Sequence, residues 1–484
     1  MAMTDSNTIT RKRMRNENNT QNDDLIKTAS LQRFKNKFNE NSTNKLIQNA
    51  LCSNSLYNVA EVREYMQSHD NDFSHTLDPE LEISNQGLSG RCWMFAVLNV
   101  MRHELVRKLD LTREFELSES YICFYEKLEK CNYFLSEFMD KDNIDLKSPR
   151  IRSLLCNGCE DGGLWVTCAN LIKKYGIIPK TCYHESVNSS STSILISTIN
   201  YKLKEFAVLL TSEKDKTKRV QMKEQMMEQI YDILCKMLGT PPNPNEKFNW
   251  SFTLHVDITK QLEREKKRRK KGQYENLQIK TTHSITPLEF YEKFIVNKFD
   301  DYIKLGNDPR NKYEKYYQSF NKDVVLEGER NGHYNVNMDV ISELCIKSII
   351  DNTPVEFDCD VGKFLNPTEE LFDDKCYDYS LVFGQNFYDM PKKKMMECME
   401  SYANHAMVLV GVDLDKDGRP LKWKVENSWG RDDETTGYYT MSHDWFQKYV
   451  YNAVVQRKYV PIEMLKKYDT SIKKPITLPE FDIM

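Results

Sequence analysis

At 484 residues and 57.1 kDa, the chain has room for two or three modules or for one large, elaborated domain. Hydrophobic residues at 40% and aromatics at 11% allow a sizeable core, which excludes a disordered protein. The 68 basic and 72 acidic side chains leave a formal charge of −4, so the chain as a whole has no field that would recruit nucleic acid or a membrane.

Residues 1–24 are rich in Asn, Asp and Arg and hold hardly an aliphatic residue. They predict a mobile tail rather than a secretory signal. Within them, Arg11-Lys12-Arg13-Met14-Arg15 has the composition of a nuclear address. No stretch of about 18 apolar residues occurs, so no membrane-spanning helix is expected. The thirteen cysteines are odd in number and show no framework spacing. They predict reduced thiols in a cytoplasmic protein, mostly buried as small apolar residues.

Amphipathic pieces such as Leu25–Phe38 follow the tail and predict short helices. From Cys92, the stretch CWMFAVLNVMRHELVRKL has apolar residues at helical spacing and predicts a helix over 92–108. Two more helical patterns lie at 117–139 and 163–175, the second closed by Gly176 and Pro179. Composition then turns charged and helical over 191–334, with PPNPN at 241–245 and the basic run REKKRRKK at 264–271. After 335, PVEFDCDV, HAMVLVGVDL, KWKVENSW and GYYTMSHDW have strand length and are separated by Gly and Asp turns. Helices first and strands afterwards predict an α+β fold with two lobes. The expected parts are a tail (1–24), a helical lobe (25–190), a charged helical insertion (191–334), a β lobe (335–460) and a C-terminal arm (461–484).

Cys92 is the candidate nucleophile. It opens a helix behind the turn Gln86-Gly87-Leu88-Ser89-Gly90-Arg91, where unpaired N–H groups, the helix dipole and Arg91 are expected to favour a thiolate. Gln86 can set its amide beside the Cys92 N–H as a two-donor oxyanion hole. His405 starts a strand, and Asn427 lies 22 residues on, across the turn Asp415-Lys416-Asp417-Gly418. A hairpin would bring the two together, the Asn427 oxygen fixing the ring tautomer and Trp429 covering the bond. CNGC at 156–159 has the spacing of half a zinc or redox site, but no second C-x-x-C accompanies it, so no metal or other cofactor is expected.

NQGLSGRCWMFA, GCEDGGLWVTCANLIKKYGIIP, HAMVLVGV and ENSWG stand in the order of the papain superfamily, with Gln, Cys, His and Asn at the matching places. FELSESYICFYEKLEKCNYFL, ITPLEFYEKF, LGNDPR, CDVGKF and WFQKYVYNAVV narrow the resemblance, over roughly residues 45–484, to the bleomycin hydrolase or aminopeptidase C branch. The resemblance implies a papain-like fold and a cysteine aminopeptidase using Gln86, Cys92, His405 and Asn427. It also implies peptide substrates whose backbone is held by Gly162-Gly163; a plain helix-capping turn is the alternative for that triplet.

The same resemblance implies a homohexamer and a C-terminal arm that fills the cleft, its end carboxylate meeting the substrate amine. Here Ile476-Thr477-Leu478-Pro479-Glu480-Phe481-Asp482-Ile483-Met484 corresponds to the arm, with Ile483 where proline is usual and Met484 several residues early. A less strict one-residue trimming is therefore expected. Some members of the branch bind nucleic acid, and Lys266-Lys267-Arg268-Arg269-Lys270-Lys271 would be the contact here, with a solvated surface segment as the alternative. The competing function is a nucleic-acid-binding or scaffold protein that retains a peptidase fold.

Overall fold

The structure, a computed structural model, describes residues 25–139, 144–255, 278–319, 324–387, 389–479, 482 and 484. The polar tail 1–24 and the basic run Lys266–Lys271 lie outside the described residues.

The chain divides into two compact units. The smaller comprises residues up to Val62 together with Tyr377–Phe387. It holds the helices Thr28–Glu40, Ser42–Ser53 and Leu56–Ala60, with the short helix Tyr379–Phe383 from the second segment. Asn41 and Ser55 cap the second and third helices with their side-chain oxygens, as short polar residues at that position do. The segments meet where Asp378 N donates to Ala60 O at 2.8 Å and where the rings of Tyr57 and Tyr377 lie 5.3 Å apart.

The larger unit, Arg63–Cys376 with Tyr388–Met484, contains every candidate site residue. The helix expected over 92–108 spans Cys92–Leu109, and its residues from Cys92 to Val106 are all buried. The helix is buried all round, with Asn99, Arg102, His103 and Glu104 taken inside along with its apolar residues, so it lies within the core, and it packs against the strand His405–Leu414. The other two expected helices span Glu119–Ser136 and Trp165–Tyr175. Ser118 caps the first through the Tyr121 N–H, and Gly176, at φ +77°, ends the second.

Among the described residues the main sheet has twelve strands. Its centre is the set Tyr302–Gly306, Val450–Gln456, Val355–Cys359, His405–Leu414, Pro420–Glu426 and Tyr438–Ser442, in that spatial order. Neighbours in this set are antiparallel, and Cys359 stands opposite His405 in register. Val355–Cys359 is buried along its whole length, between the strands Val450–Gln456 and His405–Leu414.

The stretch expected to be a helical insertion, 191–334, opens with two long helices, Ser193–Ser212 and Lys216–Leu238. Beyond them it is strand-rich. Phe248–His255 and Gln278–Ile285 pair as a separate hairpin, and Tyr302–Gly306, Lys315–Gln318 and Gly332–Asn335 join the main sheet. The β texture thus begins before residue 335. The three sheet strands are four or five residues long, and charged neighbours on either side hide them in a composition-based reading.

Candidate active site

Cys92 is the first residue of its helix, and Arg91, the preceding cap residue, makes no side-chain capping bond. Met94 N and Phe95 N turn back to Arg91 O, so the N–H groups that this end leaves to the site are those of Cys92 and Trp93. Burial pushes the Cys92 thiol up to about 11, while the main chain of Ala406 and Trp93, facing the sulfur, pulls the other way. Ala406 is the second residue of the His405 strand, so the sulfur lies at the head of that strand.

Arg91 does not serve the thiol in the way its sequence position led us to expect. Its guanidinium is buried, donates to both carboxylate oxygens of Glu185 at 3.0 Å and reaches Ser89 Oγ at 2.9 Å. A bidentate pair of this kind neutralises the cation and fixes the turn in front of Cys92. Arg91 is a brace for the turn.

His405 and Asn427 come together across the predicted hairpin. The His405 Nε2 atom lies 2.9 Å from Asn427 Oδ1. The same oxygen accepts from Ser428 N at 2.8 Å, which fixes the orientation of the amide. Nε2 must then carry the proton, leaving Nδ1 as the free base. Trp429 lies over the imidazole with ring centroids 5.1 Å apart, covering the bond. Burial pushes His405 down to about 4, against the opposing pull of the Asn427 bond and the Asp358 carboxylate. Neither thiol nor imidazole thus favours a lone charge. Internal proton transfer from one to the other creates both charges together, so the site admits charge as a pair.

Gln86 is 7% exposed and tied to the Asn427 segment from both ends. Its main-chain N donates to Ser428 O at 2.8 Å, and its side-chain Oε1 accepts from Ser428 Oγ at 2.7 Å. Nε2 donates one hydrogen to Ser89 O at 2.6 Å, leaving its second hydrogen for another acceptor. Ser428 thus orients Gln86 through its hydroxyl and Asn427 through its N–H. The sequence carries no local signal of this role, because Gln86 lies 342 residues from Ser428.

Gly162 and Gly163 form the opposite wall. Gly162 has φ +88° and open space where a Cβ would stand, whereas a Cβ at Gly163 would come within 2.4 Å of the Trp93 ring. Both conditions call for glycine. Asp161, just before them, accepts from Gly90 N at 2.7 Å and from Thr192 Oγ1. Lys127 donates to Asp161 Oδ1 at 2.7 Å, and Lys130 to Glu160 O and Gly162 O at 2.6 and 2.7 Å. Gly162 N also donates to Gly90 O at 3.0 Å. Burial alone would raise the Asp161 carboxyl, but Lys127, Thr192 and the Gly90 N–H override it and hold the group down at about 2. The glycine pair is thus stapled to the turn before Cys92. The capping alternative finds no bond to carry it, because Leu164 begins the next helix without a side-chain cap. The two lysines escaped the sequence reading because their spacing on a helix is that of a solvated face.

Cys92, His405, Gly162 and Gly163 line one cavity of about 390 Å³, together with Asp358, Lys304, Asn452 and Met484. Met484 arrives on the arm. Ile476 and Thr477 pair in parallel with Tyr317 and Gln318, Leu478 N donates to Gln318 O, and Leu478 and Met484 are buried with Tyr317, Met396 and Tyr451. Of the CNGC cysteines Cys156 is exposed and Cys159 buried, and all thirteen cysteines are free thiols.

A thiol at an open helix end, a neutral imidazole locked by an amide oxygen, and a buried amide with one hydrogen to offer make a set for acyl transfer. Comparison with known proteins agrees, with a match to the Peptidase C1-like family across residues 25–484. The chain belongs to that family. It is a cysteine peptidase with the papain-like α+β fold of the group. It is 36% identical over 463 residues to human bleomycin hydrolase, covering 93% of this chain and 95% of the relative. It is 32% identical over 447 residues to aminopeptidase C of Lactobacillus delbrueckii subsp. lactis, covering 90% and 92%. The crystal structure of PepW from Lactobacillus rhamnosis superposes with a TM-score of 0.85 at 32% identity, over 95% of this chain and 98% of that one. The scaffold reading is not favoured: the chain is a peptidase, and no helix among the described residues is long and apolar enough to cross a membrane.

Proposed function

We propose that this peptidase removes N-terminal residues from peptides, the activity that names its bacterial relatives. Cys92 attacks the scissile carbonyl as a thiolate, its proton having passed to His405 Nδ1. The C–S bond forms as the carbonyl π pair moves onto oxygen, and Gln86 Nε2 with the Cys92 N–H receives that oxyanion. The oxyanion collapses, the C–N bond breaks, and the imidazolium returns its proton to the leaving amine. Water, deprotonated by His405, then hydrolyses the thioester and restores the thiol. Asn427 keeps His405 in the required tautomer. Gly162 and Gly163 hold the substrate backbone.

The observation that carries the exopeptidase reading is that Met484 lines the same cavity as Cys92. An arm in the cleft leaves room for little peptide on the N-terminal side of the scissile bond, so selectivity arises by excluding longer or blocked N-termini. Peptide substrates, a homo-oligomer (a hexamer by family resemblance) and a cytoplasmic setting complete the proposal, the last supported by the free thiols.

The test is a deletion of residues 478–484, with products followed by mass spectrometry on a free peptide and its N-acetylated twin. The deleted enzyme is expected to cut the acetylated twin and to cleave internally. Equal preference for free N-termini before and after deletion would overturn the assignment of the arm.

A further inference from the structure

The LGNDPR segment, Leu305–Arg310, takes no part in the chemistry above, yet hydrogen bonds tie it to two neighbouring segments. It leaves the strand Tyr302–Gly306 and is pinned from two neighbours. Asn307 N donates to Tyr451 O at 2.8 Å, and Asn307 Nδ2 to Val336 O at 2.9 Å. Asp308 N donates to Asn335 Oδ1 at 2.8 Å, and Asn335 Nδ2 returns a bond to Asp308 O at 3.0 Å. Asp308 and Asn335 are both fully buried.

From this base Arg310 makes two sets of contacts. Its Nε and Nη2 atoms donate to the two carboxylate oxygens of Asp308 at 2.9 and 2.8 Å, and Nη2 also donates to Asp482 Oδ1 at 2.8 Å. Asp482 belongs to the arm, 172 residues away in sequence. The same Oδ1 accepts from Met484 N at 3.0 Å. The Met484 carbonyl in turn accepts from Ser319 Oγ at 3.2 Å, and Ser319 Oγ is held by Asn331 Nδ2 at 2.7 Å. An unbroken series of bonds therefore runs from the buried Asp308 to the residue that enters the Cys92 cavity.

We propose that Arg310 is the anchor of the arm, a positioning residue that sets how far Met484 reaches into the cleft and so how much of a substrate's N-terminal side is admitted. The inference rests on the arm's role proposed above. The apolar contacts of Leu478 and Met484 favour burial without fixing depth, since apolar burial has no direction. A planar guanidinium clamped on Asp308 does fix it, because the second hydrogen of Nη2 then points along one line, to Asp482. The Arg310 and Asp482 side chains are 18% and 14% exposed, so salt screens this pair less than a surface pair.

The experiment uses the full chain with Arg310→Gln, Arg310→Lys or Asp482→Asn, and reads kcat/KM for a free peptide and for its acetylated twin. Asp482→Asn leaves the Asp308–Arg310 pair untouched, so it tests the anchor even if Arg310→Gln misfolds. The acetylated-to-free ratio is expected to rise about tenfold in Arg310→Gln and Asp482→Asn, as expected when a partly buried charge pair loses one partner. Arg310→Lys is expected to restore part of the selectivity, keeping the charge without the fork. An unchanged ratio in Asp482→Asn, or a rise in Arg310→Gln alone, would overturn the anchor while deletion of residues 478–484 still shifts selectivity. If that deletion also leaves the ratio unchanged, the arm's role itself fails.

Discussion

Asn427 Oδ1 holds His405 Nε2 at 2.9 Å while accepting from Ser428 N at 2.8 Å, and among the described residues the Asn427 Nδ2 atom has no hydrogen-bond partner. The amide is therefore placed by its oxygen alone. Asn427→Ala should lower kcat while leaving the proton-transfer chemistry in place, because the ring can still sample the required tautomer. His405→Ala, which removes the base, should cost about 10²–10⁴-fold or more. Steady-state kinetics on one aminoacyl amide decides the order; an Asn427→Ala enzyme as inactive as His405→Ala would mean that Asn427 does more than orient.

Ser428 Oγ donates to Gln86 Oε1 at 2.7 Å, so the amide proposed as an oxyanion donor is held from its oxygen side. Gln86→Ala should reduce kcat by about 10²-fold, the usual cost of losing one such donor. Ser428→Ala should reduce it less, with KM little changed, since the donor is present but loosely aimed. A Ser428→Ala effect confined to KM would place that hydroxyl in ground-state binding instead.

Lys127 is fully buried, and Asp161 faces it at 2.7 Å. Removing the carboxylate in Asp161→Ala leaves a buried cation with fewer partners, and a loss of about 3 kcal/mol of stability is expected. Asp161→Asn keeps a hydrogen-bond acceptor for Gly90 N and should cost less, while raising KM because the glycine wall loosens. Urea unfolding with parallel kinetics checks both parts. Unaltered KM in Asp161→Asn would show that the staple serves stability alone.

The pH dependence of stability follows from His405. Burial holds its folded value near 4, below the ordinary value of about 6.5. Between those limits the unfolded chain binds a proton that the folded chain refuses, so stability rises with pH across this window and is lost as pH falls through it. The loss is on the order of 3 kcal/mol by pH 4. Denaturant midpoints compared between pH 4.5 and pH 7 should therefore shift less in His405→Gln than in the parent. Identical shifts would mean that His405 does not carry this term.

The parts legible in the sequence were those coded locally. The Cys92 helix announced itself by eighteen residues of apolar spacing, and the His405–Asn427 pairing by two strands and a Gly turn. What escaped depends on distant partners. Arg91 looked like a cation beside a thiol because Glu185, which neutralises it, lies 94 residues away. Lys127 and Lys130 went unnoticed because their partners Glu160, Asp161 and Gly162 lie 30 to 34 residues away and meet them only in the fold. The strands at 302–335 were masked by charged flanks, and the Arg310–Asp482 bond joins segments that no local pattern connects.

Whether Cys92 carries an exopeptidase reaction is decided by a time course by mass spectrometry on a free pentapeptide and its acetylated twin, with the parent enzyme and Cys92→Ala side by side. The parent enzyme should remove successive N-terminal residues from the free peptide and attack the acetylated twin much more slowly, and a folded Cys92→Ala should give no products. Parent-like products from Cys92→Ala, or equal cleavage of both peptides by the parent enzyme, would contradict an exopeptidase reaction at Cys92.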